Sequence, residues 1–200
     1  MKSRRGRDAV PSADSTTKLT KKHSASPLID PAVCALVVIG PHEDERSRAS
    51  TSGDHIRKTK RLVAAARAID VPMLVCCEGT NSVAAFDMYH TFSCDAYDSI
   101  WNNQAFQKAL DTEDKSALVL AGYWLDREVT AAALHALAEC YDVYVPLDAS
   151  PARSKEAGRL AEARLLQAGA TPLLTEQILH EWMLETSNPS QRAKLTALME

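Results

Sequence analysis

The sequence predicts an α/β protein with a mostly parallel sheet, and three observations carry this prediction. Short apolar runs of about five residues alternate with helical patterns of about 10–15 residues, as they do in βαβ units. The apolar runs are continuous, which is typical of strands that are buried on both faces. The chain has 200 residues and a hydrophobic content of 46%, which is enough for one sizeable core and too little for two ordinary domains.

The predicted elements follow each other in the order that βαβ units require. The predicted strands are AVCALVVIG, PMLVCC, SALVLAG, VYVPL and a short last TPLL. The predicted helices are HIRKTKRLVAAARAI, QAFQKAL, REVTAAALHALAE, SKEAGRLAEARLLQAGA, TEQILHEWMLE and PSQRAKLTALM. Because ligands of such sheets bind beyond the carboxyl ends of the strands, the loops that follow the strands are the places to search for function.

The first 30 residues are predicted to be a disordered basic tail, and residues 31–200 to be the folded domain. Residues 1–25 carry seven Lys and Arg against two Asp and show almost no apolar periodicity, so they cannot bury enough surface to offset the cost of ordering. The net charge of −3 therefore leaves the rest of the chain near −8, which argues against nucleic-acid binding. A targeting role for the tail is the alternative, although no apolar segment of signal-peptide length follows it.

The five cysteines, at positions 34, 76, 77, 94 and 140, form neither a CxxC pair nor the framework of a small secreted scaffold. This usage favours a reducing compartment, and we expect a cytoplasmic protein. Cys34 and Cys140 stand in apolar runs and are predicted to be buried. No apolar run reaches the length of a membrane span, so no membrane association is expected.

The loops after the predicted strands read GPHED, CCEGTNS, GYWLDRE and DASPARS. They contain no GxGxxG, no GxxxxGK[ST] and no GxSxG, so no nucleotide cofactor is predicted. Adjacent cysteines chelate poorly, and no metal is predicted either. The residues expected to line a pocket for a small-molecule ligand are His42, Cys76, Cys77, Tyr123, Trp124 and Asp126.

Several segments in order resemble the isochorismatase-like cysteine hydrolases, and among them the YcaC-like branch. These segments are VPMLV, IWNNQAFQKAL, ALVLAGYWLDREVTAAALHALAECYDVYVPLDAS and LLQAGATPLL, followed by a helix that contains HEW. The resemblance covers about Cys34 to Glu200. It implies a three-layer α/β/α sandwich that assembles as a homo-oligomer. It also implies amide-type hydrolysis by a Cys thiolate, which an Asp and a Lys or Arg assist.

The three catalytic positions of that family are occupied by other residues in this sequence. The Asp that ends the first strand falls on Gly40, and the basic residue falls on or near Cys94. Arg67 is the one Lys or Arg between positions 62 and 107, so a small shift of the alignment does not restore the cation. The nucleophile of the first helical turn falls on Glu128.

These replacements predict a non-catalytic binding or assembly protein, and two alternatives stay open. Glu128 and a nearby Cys could support altered chemistry on C–N bonds. Glu128 could also be an ordinary first-turn acid, with Asp126 as the N-cap. The apolar residues of the two C-terminal helices are predicted to form the homo-oligomer interface, namely Trp182, Met183, Leu184 and Leu195 through Leu198.

Overall fold

The computed structural model describes residues 26–40, 53–77, 90–93 and 99–199. It contains a six-stranded sheet whose strand pairs are all parallel, in the order β3-β2-β1-β4-β5-β6. The strands are β1 (Cys34–Ile39), β2 (Met73–Cys77), β3 (His90–Ser93), β4 (Ala117–Gly122), β5 (Asp142–Pro146) and β6 (Thr171–Leu173).

In the described part of the chain, six α-helices connect and cover these strands. They are α1 (Gly53–Ala68), α2 (Gln104–Glu113), α3 (Thr130–Ala138), α4 (Lys155–Ala168), α5 (Thr175–Glu185) and α6 (Pro189–Met199). A π-helical turn, Leu125–Val129, leads directly into α3.

Helices cover both faces of the sheet. Strand β1 therefore buries every one of its side chains. Ala35, Val37 and Ile39 pack into a core with residues of α2, α3 and α4. Leu36 and Val38 pack on the other face with residues of α1, α5 and α6. The predicted α/β sandwich with a parallel sheet is therefore confirmed.

Strand β3 is the one described strand that the sequence did not predict. Its residues, HTFS, form no apolar run, and it lies at the edge of the sheet, where it pairs with β2 alone. An edge strand needs less apolar surface than a central one, which explains why the pattern is weak.

The prediction that Cys140 is buried is wrong, and two residues of the predicted interface are not exposed. Cys140 is exposed, because it follows the end of α3 in a left-handed conformation with φ of 63°. Trp182 and Leu195 are fully buried inside this chain's own core, so neither is available to an interface. Leu184 of the same region is 50% exposed.

The first described residues pack against the body. Ile29 is buried, its N–H donates to Glu181 Oε2 at 2.9 Å, and Ser26 Oγ donates to Glu185 Oε1 at 2.7 Å. Residues 1–25, most of the predicted tail, lie outside the described residues. No helix in the described part of the chain is both long and apolar enough to cross a bilayer.

Candidate functional site

The carboxyl ends of β1 and β4 meet at the centre of the sheet, where Ile39 pairs with Gly122. Gly122 has a φ of 122°, and a Cβ atom there would lie 1.9 Å from the carbonyl oxygen of Ile39. Only glycine fits this close approach. The next residue, Tyr123, donates its N–H to the same Ile39 oxygen at 2.9 Å, so the chain turns directly over the end of β1.

Gly40 lies beside the two cysteines that end β2. Its N–H donates to the carbonyl oxygen of Cys76 at 2.7 Å. A Cβ atom at Gly40 would lie 3.0 Å from Cys77 Cβ, which is closer than side chains normally pack. Cys76 and Cys77 are both buried, with exposures of 1% and 4%. There is therefore little room for a side chain at position 40.

Glu128 lies in the π-helical turn and its carboxylate folds back over the start of that turn. Its Oε2 accepts the N–H of Trp124 at 3.0 Å, and its Oε1 lies 3.2 Å from an Nη of Arg127. The Glu128 side chain is only 13% exposed. The carboxylate thus satisfies a backbone donor that the helix itself leaves unbonded.

Asp126 does not cap this helix, contrary to the sequence-based interpretation. The N-cap position is taken by Trp124, whose carbonyl accepts the N–H of Val129 at 3.2 Å. Asp126 instead accepts the backbone N–H of Arg153 at 3.0 Å and its Nε at 2.8 Å. It ties the start of the π turn to the segment that leads into α4.

Tyr123 and Trp124 pack against each other with their rings 5.2 Å apart and nearly perpendicular. Trp124 is buried, while Tyr123 is partly exposed. Burial raises the pKa of the Tyr123 hydroxyl above its ordinary value, so this hydroxyl stays protonated at neutral pH.

The structure thus brings together Gly40, Cys76, Cys77, Tyr123, Trp124 and Glu128 at the carboxyl edge of the sheet. Cys94 and His42 lie outside the described residues. Asp126 lines a separate open depression of about 500 Å³, together with Arg127, His135 and Arg164.

Among the described residues, no three His, Cys, Asp or Glu side chains come together in a way that could hold a metal ion. Two partners in this region were not predicted from sequence. They are Arg127, beside Glu128, and Arg153, beside Asp126. Both follow apolar strands within a few residues, so the rule that places ligand loops after strands could have found them.

Comparison with known proteins finds a matching domain model and solved structures with the same fold. Residues 96–177 match the family model described as the isochorismatase domain, and Glu128 lies inside the matched segment while Gly40 and Cys94 precede it. This segment is similar to the isochorismatase domain. No curated protein sequence matches it.

Solved structures show the same fold over most of this chain. The YcaC gene product from Escherichia coli, described as an octameric hydrolase of unknown specificity, is 19% identical, with a TM-score of 0.75. That match covers 88% of this chain and 93% of the other. YcaC from Pseudomonas aeruginosa is 20% identical, with a TM-score of 0.72 and coverages of 88% and 92%.

The MAR1 ribonuclease from Caenorhabditis elegans is 21% identical, with a TM-score of 0.74 and coverages of 86% and 92%. At these identities the likeness establishes the fold, and the activities named belong to the other proteins.

Proposed function

We propose that this isochorismatase-like protein has lost the cysteine-hydrolase reaction of its relatives and acts as a non-catalytic binding or assembly protein. The observation that carries the proposal is the contact of Glu128 Oε2 with the N–H of Trp124 at 3.0 Å. A carboxylate occupies the start of the helix, at the position where the resemblance puts the thiol nucleophile.

The chemistry of acyl transfer makes this replacement decisive. A thiolate at a helix N-terminus is polarisable and attacks a carbonyl, and nearby backbone N–H groups then stabilise the oxyanion that forms. Glu128 is a far weaker nucleophile, and it places a negative charge on one of those donors. The Glu128 carboxylate contacts Trp124 N–H and Arg127 at the start of the helix, where the oxyanion would otherwise develop.

The position of the family's acid supports the same proposal. Gly40 carries no carboxylate, and the 3.0 Å approach of its would-be Cβ to Cys77 Cβ leaves little room for one. Without a carboxylate, Gly40 cannot take a proton from a nucleophile. That Cys94 replaces the cation stays a prediction.

The alternative is a hydrolase of C–N bonds in which Glu128 and a neighbouring cysteine carry the reaction. Cys76 and Cys77 end β2 beside Gly40, so they are the described thiols nearest to this edge. Their burial weighs against it, because a reactive thiolate has to be reached by its substrate.

Assembly into a homo-oligomer belongs to the proposal, since the E. coli relative is described as octameric. Cytoplasmic location, a small-molecule ligand and the absence of nucleic-acid binding stay predictions from the sequence. If the full-length chain, including residues 1–30, binds RNA in a filter assay at physiological salt, the prediction that it does not bind nucleic acid is wrong.

A hydrolysis assay tests the proposal. Wild-type protein, Glu128→Ala and Glu176→Ala are incubated with a panel of primary amides, ureas and isochorismate-like enol ethers. Glu176 is an exposed acid in the first turn of α5, and its variant controls for the loss of one surface charge. We expect all three proteins to match the buffer rate. If the wild type and the Glu176 variant hydrolyse a substrate and the Glu128 variant does not, the alternative is correct and the protein is a hydrolase that uses Glu128.

A further inference from the structure

A second cavity lies at the carboxyl edge, beyond the end of β5, and neither Gly40 nor Glu128 is among its lining residues. It is open, has a volume of about 730 Å³, and is lined on one side by Leu125, Leu147, Pro151 and Ala152. The N-terminal turns of α4 close it on the other side. Helix α4 lies close to Ala152 because Gly158 has no side chain. A Cβ atom at position 158 would lie 3.1 Å from Ala152 Cβ.

Ser150 lines this cavity and has an unsatisfied hydroxyl group. The residue is 1% exposed, and its Oγ makes no hydrogen bond within the described part of the chain. A buried hydroxyl without a partner is destabilising, and such groups are rare unless something else binds to them. The hydroxyl is therefore the polar anchor that a mostly apolar pocket needs for a specific ligand.

His55 supplies the second polar group of the cavity. Its Nδ1 lies 2.8 Å from the carbonyl oxygen of Asp148, which can only accept a hydrogen bond. Nδ1 therefore carries a proton, and in the neutral ring Nε2 is left as an acceptor. A ligand hydroxyl, which both donates and accepts, complements an imidazole acceptor and a serine hydroxyl together.

The charges at the rim indicate an uncharged ligand. Lys155 and Arg159 are matched by Glu156 and Glu162, and Arg159 pairs with Glu156 at 2.8 Å. The rim consequently has no excess charge to attract an anion or a cation. We infer that this cavity binds a neutral, largely apolar small molecule through one hydroxyl group, with Ser150 as the anchor.

Binding of benzyl alcohol to the full-length chain tests this inference without reference to any activity. Toluene lacks the hydroxyl, and benzoate replaces it with a charge. In a titration followed by amide chemical shifts, we expect saturable binding of benzyl alcohol with a dissociation constant of about 1 mM. Toluene and benzoate should each bind at least about fivefold more weakly. Equal affinity for toluene, tighter binding of benzoate or no saturable binding at all would overturn the inference.

Two variants locate the site. Ser150→Ala removes a hydroxyl without a partner, so the fold should be preserved while the affinity for benzyl alcohol falls at least about fivefold and that for toluene does not change. Ala131→Leu, in the separate depression beside Asp126, is the matched control and should bind like the wild type. Unchanged affinity for benzyl alcohol in the Ser150 variant would overturn the assignment of the anchor, whatever the control variant does.

Discussion

At the scale of single residues, Glu128 has a structural role that its sequence context only partly predicts. An acid in the first turn of a helix is favoured by the helix dipole, and the sequence shows this acid. The sequence does not show that the turn is π-helical, and this geometry decides that Glu128 reaches back to Trp124 while Asp126 turns to Arg153. The contact resembles the returning half of a capping box, in which a Glu side chain accepts the N–H of the N-cap residue.

Removing this cap should reduce stability. We expect Glu128→Ala to lower the free energy of unfolding by about 1 kcal/mol, because the N–H of buried Trp124 loses its hydrogen bond to Glu128 and Arg127 loses its ion pair with Glu128. Glu128→Gln keeps an acceptor and should lose less. Urea unfolding measures the difference, with Glu176→Ala as the control, which should change by less than about 0.5 kcal/mol. Equal effects of the two alanine variants would show that the contact contributes nothing.

The cysteines should differ sharply in reactivity. Cys140 is exposed, whereas burial raises the pKa of the Cys34 thiol to about 12. With iodoacetamide at pH 8 and mass-spectrometric mapping, we expect Cys140 to be alkylated at about the rate of a free thiol. Cys34, Cys76 and Cys77 should react only after unfolding. Fast labelling of Cys76 or Cys77 in the native protein would instead support the altered-chemistry alternative.

At the scale of elements, continuous apolar runs were sufficient to predict the central strands, since burial on both faces leaves a strong pattern. The edge strand β3 is not predicted, because a strand with one neighbour and partial burial has only a weak apolar pattern. How closely β1 and β4 approach at their carboxyl ends cannot be predicted from the sequence. The approach depends on Gly122, and the sequence does not distinguish this residue from any other glycine at the end of a strand.

Gly122→Ala should disrupt the candidate site and the fold together. The new Cβ would lie 1.9 Å from the Ile39 oxygen, at a φ of 122° that other residues rarely adopt. We expect a loss of more than about 3 kcal/mol in the free energy of unfolding, or no soluble protein. Gly53→Ala is the matched control, because no atom lies within 4 Å of its would-be Cβ, and it should be close to neutral. A folded Gly122 variant of ordinary stability would contradict the geometry described for this strand end.

At the scale of the whole molecule, two cores on either side of one sheet hold several groups whose protonated forms are favoured by folding. Burial raises the pKa of Cys34, Tyr141 and Tyr144 to about 12 each. Nearby acids add to the effect at the two tyrosines. In the unfolded chain these groups ionise near their ordinary values of about 8.5 for Cys and about 10 for Tyr.

The protein should therefore lose stability at alkaline pH. A folded-state pKa above the unfolded value contributes stability that is fully present below the unfolded pKa and is lost as the pH rises through the folded one. We expect the free energy of unfolding to fall from about pH 8.5 to about pH 12. Tyr144→Phe should make this fall shallower above about pH 10. A free energy that does not change between these pH values would contradict the burial described for the three groups.

Assembly is also a property of the whole molecule. If the chain forms a homo-oligomer, light scattering at micromolar concentration should give a multiple of 21.8 kDa. The buried positions of Trp182 and Leu195 move the expected interface away from the residues that suggested it in the sequence. A single species at 21.8 kDa would contradict assembly and leave a binding role as the remaining form of the proposal.

The central claim is that Glu128 occupies the nucleophile's place at the start of a helix, and the variant Glu128→Cys tests it most directly. The rate of alkylation at position 128 is measured as a function of pH, with Cys140 at the far end of the same helix as the internal reference. Because Trp124 N–H, Arg127 and the helix dipole all favour an anion at position 128, we expect this thiol to have a pKa below the ordinary value of about 8.5 and below that of Cys140. A thiol at position 128 that titrates at or above 8.5, or no more readily than Cys140, would mean that Glu128 does not stand where a nucleophile would be activated.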